Sequence, residues 1–202
     1  MKKIIFTCAL SIFTALIYAQ TYTVPAASPK QTIEQQFSIS NIKIEYSRPA
    51  IKGRKIFGEL VPFGKIWRAG ANSATKFIIN QKVVFGDKQL MPGEYALFVI
   101  PNNKQWQIIL NKDANAWGAY TYDEKQNVLE TTVPVQNIPT LQEYFEIKLE
   151  PQSDNLVHLV ITWEKTKVEI PIQVSNIEAT NNMIKMLQDV KQMQREANKK
   201  SL

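Results

Sequence analysis

The sequence has very few of the residues on which most metal and nucleophilic chemistry depends. Its 202 residues include one cysteine and one histidine, His158. A single cysteine excludes a disulfide framework and a metal site built from several thiolates. A histidine-based triad or a histidine-rich metal site would have to be built around His158 alone. We therefore expect no metal and no cofactor, and we interpret His158 as a structural histidine.

Long hydrophobic runs are also scarce, and the one at the N-terminus has the form of an export signal. Lys2 and Lys3 precede an uncharged apolar run over residues 4–18, and the small residue Ala19 follows. This order is typical of a secretory signal peptide, and the run is too short to span a bilayer comfortably. We predict a signal peptide over residues 1–19 and export to the periplasm or the cell exterior. The mature chain would contain no cysteine, which suits an oxidising compartment, and no membrane span.

The chain has only a small excess of positive charge. The formal net charge of the chain is +6, and it falls to +4 once Lys2 and Lys3 are removed. An excess this small does not provide the positive surface that binding to nucleic acid requires. We therefore expect no nucleic-acid partner.

The middle of the chain is a series of short β-rich runs separated by turn signals such as Gly86-Asp87 and Pro92-Gly93. No helical pattern lies between these runs, so we predict an all-β domain over residues 25–175, an antiparallel β-sandwich with jelly-roll-like topology. Pro171 in the last run predicts an edge strand. The predicted strands lie within residues 42–46, 77–85, 94–100, 106–110, 128–135, 144–149, 156–163 and 168–174.

The pattern changes after residue 174. Ser175 followed by Glu178 indicates a capping box, and Met183, Leu187 and Val190 then recur near one face of a helix. We predict a C-terminal amphipathic helix with a basic tail over residues 176–202. This helix would pack on the sandwich or lie loose; alternatively, it would bind a protein partner or a second copy of the chain.

The segment from residue 47 to residue 75 departs from the strand pattern. It holds four of the seven glycines and three of the four arginines, Arg48, Arg54 and Arg68. It also carries six basic residues against one acid, Glu59, so the rest of the mature chain is close to neutral. The positive excess of the protein is therefore concentrated in one glycine-rich stretch.

Two interpretations of this segment stay open. Closely spaced glycines let backbone N–H groups approach a ligand, and arginines offer planar forks for carboxylate, phosphate or sulfate. Under this interpretation Arg54 and Arg68 bind an anion and Asn72 positions it. Alternatively, the apolar residues of the segment pin an ordered loop to the core, and its arginines tie down loop carbonyls and acidic side chains.

A second unusual loop, over residues 111–122, combines aromatic side chains with amides and a carboxylate. Asp113, Trp117 and Tyr120 lie within eight positions of one another. Aromatic rings stack on sugar rings, and amides and carboxylates bond sugar hydroxyls, although the same residues are ordinary in a turn between strands. If this loop and the glycine-rich segment lie at the same end of the sandwich, they would form one pocket.

Several short motifs stand out in the glycine-rich segment and further along the chain. They are Ser47-Arg48-Pro49, Lys52-Gly53-Arg54, Ile56-Phe57-Gly58, Leu60-Val61-Pro62-Phe63-Gly64, Trp67-Arg68, Gly70-Ala71-Asn72 and Ala74-Thr75, with Phe98 to Pro101, Asn111-Lys112-Asp113 and Trp117-Gly118 further along. Together these motifs resemble an exported bacterial family common in Bacteroidetes, domain of unknown function 2911. The likeness covers about residues 25–175, and it implies an exported, largely β domain without supplying an activity.

Three functional hypotheses follow from these residues. The first is a non-catalytic exported module that binds an anionic or carbohydrate ligand. The second is a protein–protein interaction or assembly module that uses the helix in residues 176–202. The third is a hydrolase of cell-envelope or dietary glycans, with Asp113 or Asp123 as acid or nucleophile. The candidate ligand-binding residues are Arg54, Arg68, Asn72, Asp113, Trp117 and Tyr120.

Overall fold

A computed structural model describes residues 24–200 of the chain. The predicted signal peptide lies outside the described residues. Ten strands and one long helix make up the described part. They are β1 (Lys30–Phe37), β2 (Ser40–Ser47), β3 (Thr75–Ile79), β4 (Val83–Phe85), β5 (Lys88–Leu90), β6 (Gly93–Ile100), β7 (Gln105–Asn111), β8 (Asn127–Pro134), β9 (Gln136–Ser153), β10 (Leu156–Val174) and α1 (Ile177–Lys200), with a short 3-10 helix at Glu124–Gln126 before β8.

The strands form two antiparallel sheets. The first has six strands in the order β1-β2-β3-β6-β7-β8, and the second has four in the order β5-β4-β10-β9. Residues alternate between the core and solvent along the strands, so that Ile42, Ile44 and Tyr46 of β2 are buried while Asn41, Lys43 and Glu45 are not. The predicted antiparallel sandwich with a C-terminal helix is confirmed.

The strands differ from the predicted runs in several places: β1 and β5 were not predicted, and β9 extends well beyond the predicted run over residues 144–149. The run over residues 77–85 divides into β3 and β4, which lie in different sheets. The runs over residues 156–163 and 168–174 join into one strand, β10, which continues through a register shift at Glu164. A bulge of this kind bends a strand without ending it and turns one side chain in a new direction.

Aromatic side chains fill the centre of the core. Trp67 stacks on Trp163 with their ring centroids 5.9 Å apart, and it meets Phe145 edge-on at 5.2 Å. Phe57 contacts Trp106 at 4.9 Å. Because Phe57 and Trp67 come from the glycine-rich segment, the connection between β2 and β3 forms part of the core.

Pro171 does not mark an edge strand, because β10 lies between β4 and β9. The pairing of β10 with β9 ends at Lys167, however, and its pairing with β4 begins at Ile172. Pro171 therefore sits where neither neighbour requires its missing N–H, and its carbonyl accepts the N–H of Gly86 at 2.7 Å. On the other face of this stretch, Val168, Ile170, Ile172 and Val174 are buried.

The helix α1 has a different cap from the predicted one. The side chain of Asn176, not that of Ser175, accepts the backbone N–H of Ala179 at 2.9 Å. Apart from Thr180 and Ile184, the side chains described in α1 are exposed. Within residues 24–200, no helix is both long enough and apolar enough to cross a membrane.

Candidate functional site

The two loops singled out in the sequence lie against each other. The N–H of Ala74, at the end of the connection from β2 to β3, donates to the carbonyl of Ala116 in the second loop at 3.0 Å. Both alanines pack on Phe98 and Ile109, which lie outside the main core on the outer face of the six-stranded sheet. The junction of the two loops is therefore fixed by a backbone hydrogen bond and by packing on the sheet.

Acidic side chains of the second sheet hold the first half of the glycine-rich loop. The carboxylate of Glu164 accepts the N–H of Ile56 at 3.0 Å and that of Phe57 at 3.3 Å. Glu143 accepts the N–H of Lys52 at 2.9 Å. The backbone N–H groups of this half thus approach anions, as the sequence suggested, but these anions belong to the chain itself.

Two of the three arginines in the segment have partners within the chain. Arg48 donates from Nε to the carbonyl of Phe145 at 3.2 Å and lies 3.5 Å from Glu146. Arg54 donates from Nε to the carbonyl of Ile51 at 2.9 Å and from Nη2 to that of Ala50 at 2.6 Å. These contacts match the structural interpretation, and a ligand-binding role for Arg54 stays a prediction.

Arg68 is different from both. Its Nε is buried, and no described residue makes a hydrogen bond or ion pair with its guanidinium group. Nη1 of Arg68 lies 3.7 Å from the position that a Cβ would take at Gly118 in the second loop. The ring of Tyr120 lies 2.9 Å from that same position. The unpaired guanidinium group therefore reaches the second loop beside an aromatic ring.

The remaining candidates lie in or beside the two loops. Trp117 is 63% exposed and Tyr120 is 87% exposed, so both rings are open to solvent. Asn72, with a φ of 61°, donates from its side chain to the Ser47 hydroxyl at 3.2 Å. Asp113 accepts the N–H of Asn115 at 3.3 Å and so closes a turn. The structure thus brings the two loops together but gives Asn72 and Asp113 local partners.

A cleft of about 200 Å³ opens between the same loops, and sequence reasoning missed its most polar residues. Lys76 of β3 donates to the side chain of Asn115 at 2.8 Å and lies 3.4 Å from Glu94. Its position on the solvent face of β3 is the only sequence signal for it. The cleft is lined by Lys30, Glu45, Tyr46, Ser47, Ser73, Ala74, Lys76, Ala114 and Asn115.

One carboxylate in this cleft has a strongly shifted pKa. Lys43 donates to Glu45 at 2.8 Å and Lys30 does so at 2.9 Å. These hydrogen bonds, that of Lys43 first, lower the pKa of Glu45 to about 2. Glu45 is therefore ionised at any physiological pH, and its charge is already balanced by the two lysines.

The residues considered for catalysis also have local roles. Asp123 accepts the N–H of Lys125 at 3.0 Å and caps the 3-10 helix, as Asp113 caps its own turn. His158 faces Glu169 across 3.3 Å on the solvent side of β10. In the part of the chain that the structure describes, no three His, Cys, Asp or Glu side chains are placed to hold a metal ion.

Comparison with known proteins gives one match. A family model described as protein of unknown function (DUF2911) matches residues 28–172, which include both loops and all ten strands except the end of β10. No curated protein and no solved structure matches the chain significantly.

Proposed function

We propose that this chain, which belongs to the DUF2911 family, is a non-catalytic binding module of an exported protein and that its ligand is an acidic carbohydrate. The observation that carries the proposal is the unpaired guanidinium group of Arg68 at the junction of the two loops. A carboxylate or sulfate group of the ligand would supply its missing acceptors.

The buried Nε of Arg68 has no acceptor among the described residues. A buried donor left without an acceptor costs about 1–3 kcal/mol, and more when the group is charged. Native proteins keep few such groups, and a bound group that completes the hydrogen bonds is one explanation for those that remain. A planar oxyanion that accepts from Nε and one Nη in parallel would remove this cost and be held in a defined orientation.

Two exposed aromatic rings of the second loop support the carbohydrate part of the proposal. Trp117 precedes Gly118 in the chain, the ring of Tyr120 lies 2.9 Å from the position of a Cβ at Gly118, and both rings are mostly exposed. A sugar ring can stack on an exposed aromatic surface of this kind. The acidic group would then bind Arg68 while the ring lies on Trp117 or Tyr120.

The test compares two arginine variants of the full mature chain. Thermal shift and calorimetry would use glucuronate, galacturonate, a sulfated monosaccharide, inorganic sulfate and neutral glucose as probes. We expect an acidic sugar to bind, with affinity about tenfold or more lower in Arg68→Gln and unchanged in Arg54→Gln. We expect Arg54→Gln instead to lower stability, because its guanidinium group holds the carbonyls of Ala50 and Ile51.

Three results would contradict the proposal in whole or in part. Equal loss of affinity in the two variants would mean that binding depends on the conformation of the glycine-rich loop and not on a direct contact with the Arg68 guanidinium group. Binding of glucose and glucuronate with the same affinity would show that the carboxylate of the sugar contributes nothing to binding. Binding of sulfate alone, with no preference for a sugar, would leave an anion site without the carbohydrate contact.

A second candidate function is assembly through α1, and a specific observation favours it. Met183, Met186, Val190 and Met193 recur along one side of α1, and all four are exposed. Exposed apolar stripes of this kind are common on helices that pair with another helix. Self-association through α1 would place two loop junctions on one particle and would not compete with ligand binding.

A further inference from the structure

The edges of the two sheets face each other along one side of the sandwich. β1 is an edge strand of the first sheet, and β9 is an edge strand of the second. No backbone hydrogen bond joins the two strands in the described part of the chain. A groove of about 480 Å³ separates them, lined by residues 31–35 of β1 and residues 146–150 of β9.

Most of the β9 edge already has partners. The segment over residues 49–51 exchanges backbone hydrogen bonds of 2.9 Å with Glu143 and Phe145. The N–H of Ile147 then donates to the Tyr46 hydroxyl at 3.0 Å, and the Ile147 carbonyl lies 3.2 Å from the same oxygen. Within the groove, the outward backbone groups of β9 are therefore free only beyond Ile147.

The β1 edge has no such cover. β1 and β2 are joined by a two-residue turn, and Phe37 pairs with Ser40 across it. In such a hairpin the pair next to the turn is hydrogen-bonded, and bonded pairs alternate from there. Thr32, Glu34 and Gln36 therefore point their N–H and C=O groups away from β2 and towards the groove. An open row of this kind is a template for another strand.

The charges in the groove restrict what that strand can be. Glu34, Glu146 and Glu150 line it together with Lys148. Lys148 lies 2.9 Å from Glu146, which also lies 3.5 Å from Arg48, whereas neither Glu34 nor Glu150 makes an ion pair with a described residue. Past Gln35 the groove continues towards α1 along a second hollow, lined in part by Asp154. The lining is thus net acidic, while Ile33 and Leu149 supply an apolar surface packed against the core.

We propose that the groove between β1 and β9 binds an extended, basic peptide segment of a partner protein by strand addition. Backbone groups of the peptide pair with Thr32, Glu34 and Gln36, and its lysine or arginine side chains lie near Glu34 and Glu150. An apolar residue at an alternate position contacts Ile33 and Leu149. This mode takes its affinity from main-chain hydrogen bonds and its selectivity from alternate side chains. It is independent of Arg68.

The probe is a capped synthetic peptide of the sequence Lys-Thr-Lys-Val-Lys-Thr, measured by calorimetry and by chemical-shift changes in β1. Its first control has the same sequence with alternate backbone nitrogens methylated, which keeps every charge and removes the main-chain donors. Its second control replaces each lysine by glutamate. We expect binding of the first peptide and at least a tenfold loss of affinity for both controls.

Two variants of the full mature chain complete the test. Thr32→Pro removes one outward N–H of an edge strand, where proline is tolerated, and Glu34→Lys reverses a charge. We expect both to weaken the lysine peptide at least about fivefold, while Arg68→Gln leaves its affinity unchanged. Should Thr32→Pro fail to fold, the methylated peptide still decides the question.

Equal binding of the methylated peptide would overturn the proposal, because simple charge attraction would then account for the affinity. Absence of binding by the lysine peptide would also overturn it. If the chain instead forms dimers that Thr32→Pro abolishes, the occupant of the groove is a second copy of the chain and the proposal of a foreign peptide fails.

Discussion

The carboxylate of Glu164 on β10 lies 3.0 Å from the backbone nitrogen of Ile56 in the glycine-rich loop, and its second oxygen lies 3.3 Å from that of Phe57. The two ends of this contact are 108 residues apart in the chain. Glu164 has a φ of 54°, within the register shift of β10. An irregularity in one strand thus supplies the anion around which the loop folds.

Replacing Glu164 should therefore lower the stability of the whole domain. Glu164→Ala removes a charged acceptor from two backbone N–H groups, and we expect the free energy of unfolding to fall by about 2–3 kcal/mol. Glu164→Gln keeps one acceptor oxygen and should cost about half as much. Urea denaturation followed by tryptophan fluorescence measures both. Wild-type stability in Glu164→Ala would show that the loop does not depend on this contact.

Gly118 and Gly53 form a matched pair for testing the loop junction. Both have a φ of +72°, so an alanine at either position is strained by about 1–2 kcal/mol. A Cβ at Gly53 meets no atom within 4 Å, whereas one at Gly118 lies 2.9 Å from the Tyr120 ring. We expect similar losses of stability in the two alanine variants. Only Gly118→Ala should weaken binding of an acidic sugar, because the exposed ring must move away.

Calorimetry with the acidic sugar and thermal melts of both alanine variants check this contrast. An equal affinity for the sugar in Gly118→Ala and Gly53→Ala would argue that Tyr120 is not part of the site. A much lower melting temperature for Gly118→Ala would mean instead that the ring cannot move at low cost.

The lowered pKa of Glu45 predicts that the fold loses stability at acid pH. Its pKa is about 2 in the folded protein, below its ordinary value of 4.5. A lowered pKa stabilises the fold above pH 4.5, and this contribution is lost as the pH falls from 4.5 towards 2. We expect Glu45→Gln to lower stability at pH 7 by about 1 kcal/mol, because the pair is partly exposed. Its loss of stability between pH 4.5 and pH 2 should be smaller than in the wild type.

Urea titrations of wild type and Glu45→Gln at pH 7, 4.5, 3 and 2 provide the comparison. Parallel stability curves for the two proteins over this range would show that Lys43 and Lys30 contribute no favourable energy to the ionised carboxylate.

The exposed stripe of α1 predicts self-association that depends on one face. Val190→Glu places a charge in the middle of the stripe, while Gln192→Glu places the same charge on a polar part of the helix. If assembly uses α1, light scattering of residues 20–202 should show a dimer that Val190→Glu and deletion of residues 176–202 abolish. Gln192→Glu should leave it intact. A monomeric wild type at high concentration would refute the assembly hypothesis.

Local pattern was enough to predict some elements and not others. The strict alternation at Ile42, Ile44 and Tyr46 predicted β2, because one face of that strand is buried. β1 has the sequence KQTIEQQF, in which the inward face alternates Gln31, Ile33, Gln35 and Phe37 and so gives no hydrophobic alternation, and its pairing with β2 comes from the hairpin turn. The order of the strands within each sheet could not be predicted, since it depends on contacts between residues far apart in the chain.

The candidate site, too, could be predicted from the sequence only in part. Composition pointed to both loops and to Arg54 and Arg68 together, and the structure places the loops side by side. What the sequence lacked was any way to distinguish Arg68 from Arg48 and Arg54. The partner of Arg48 lies 97 residues away, and those of Arg54 depend on the path of the loop backbone. An unpaired donor can be recognised only after every partner is known.

The position of Trp67 has a consequence for the entropy cost of binding a ligand at Arg68. This ring is buried in the aromatic core, while the next residue, Arg68, reaches the junction of the loops. Trp67 also exchanges backbone hydrogen bonds of 2.8 Å with Val99 of β6. The loop at this point cannot open unless the core opens with it, so the backbone that carries Arg68 is held in place before any ligand arrives. Binding would then cost little backbone conformational entropy, and amide exchange at Trp67 should report global unfolding.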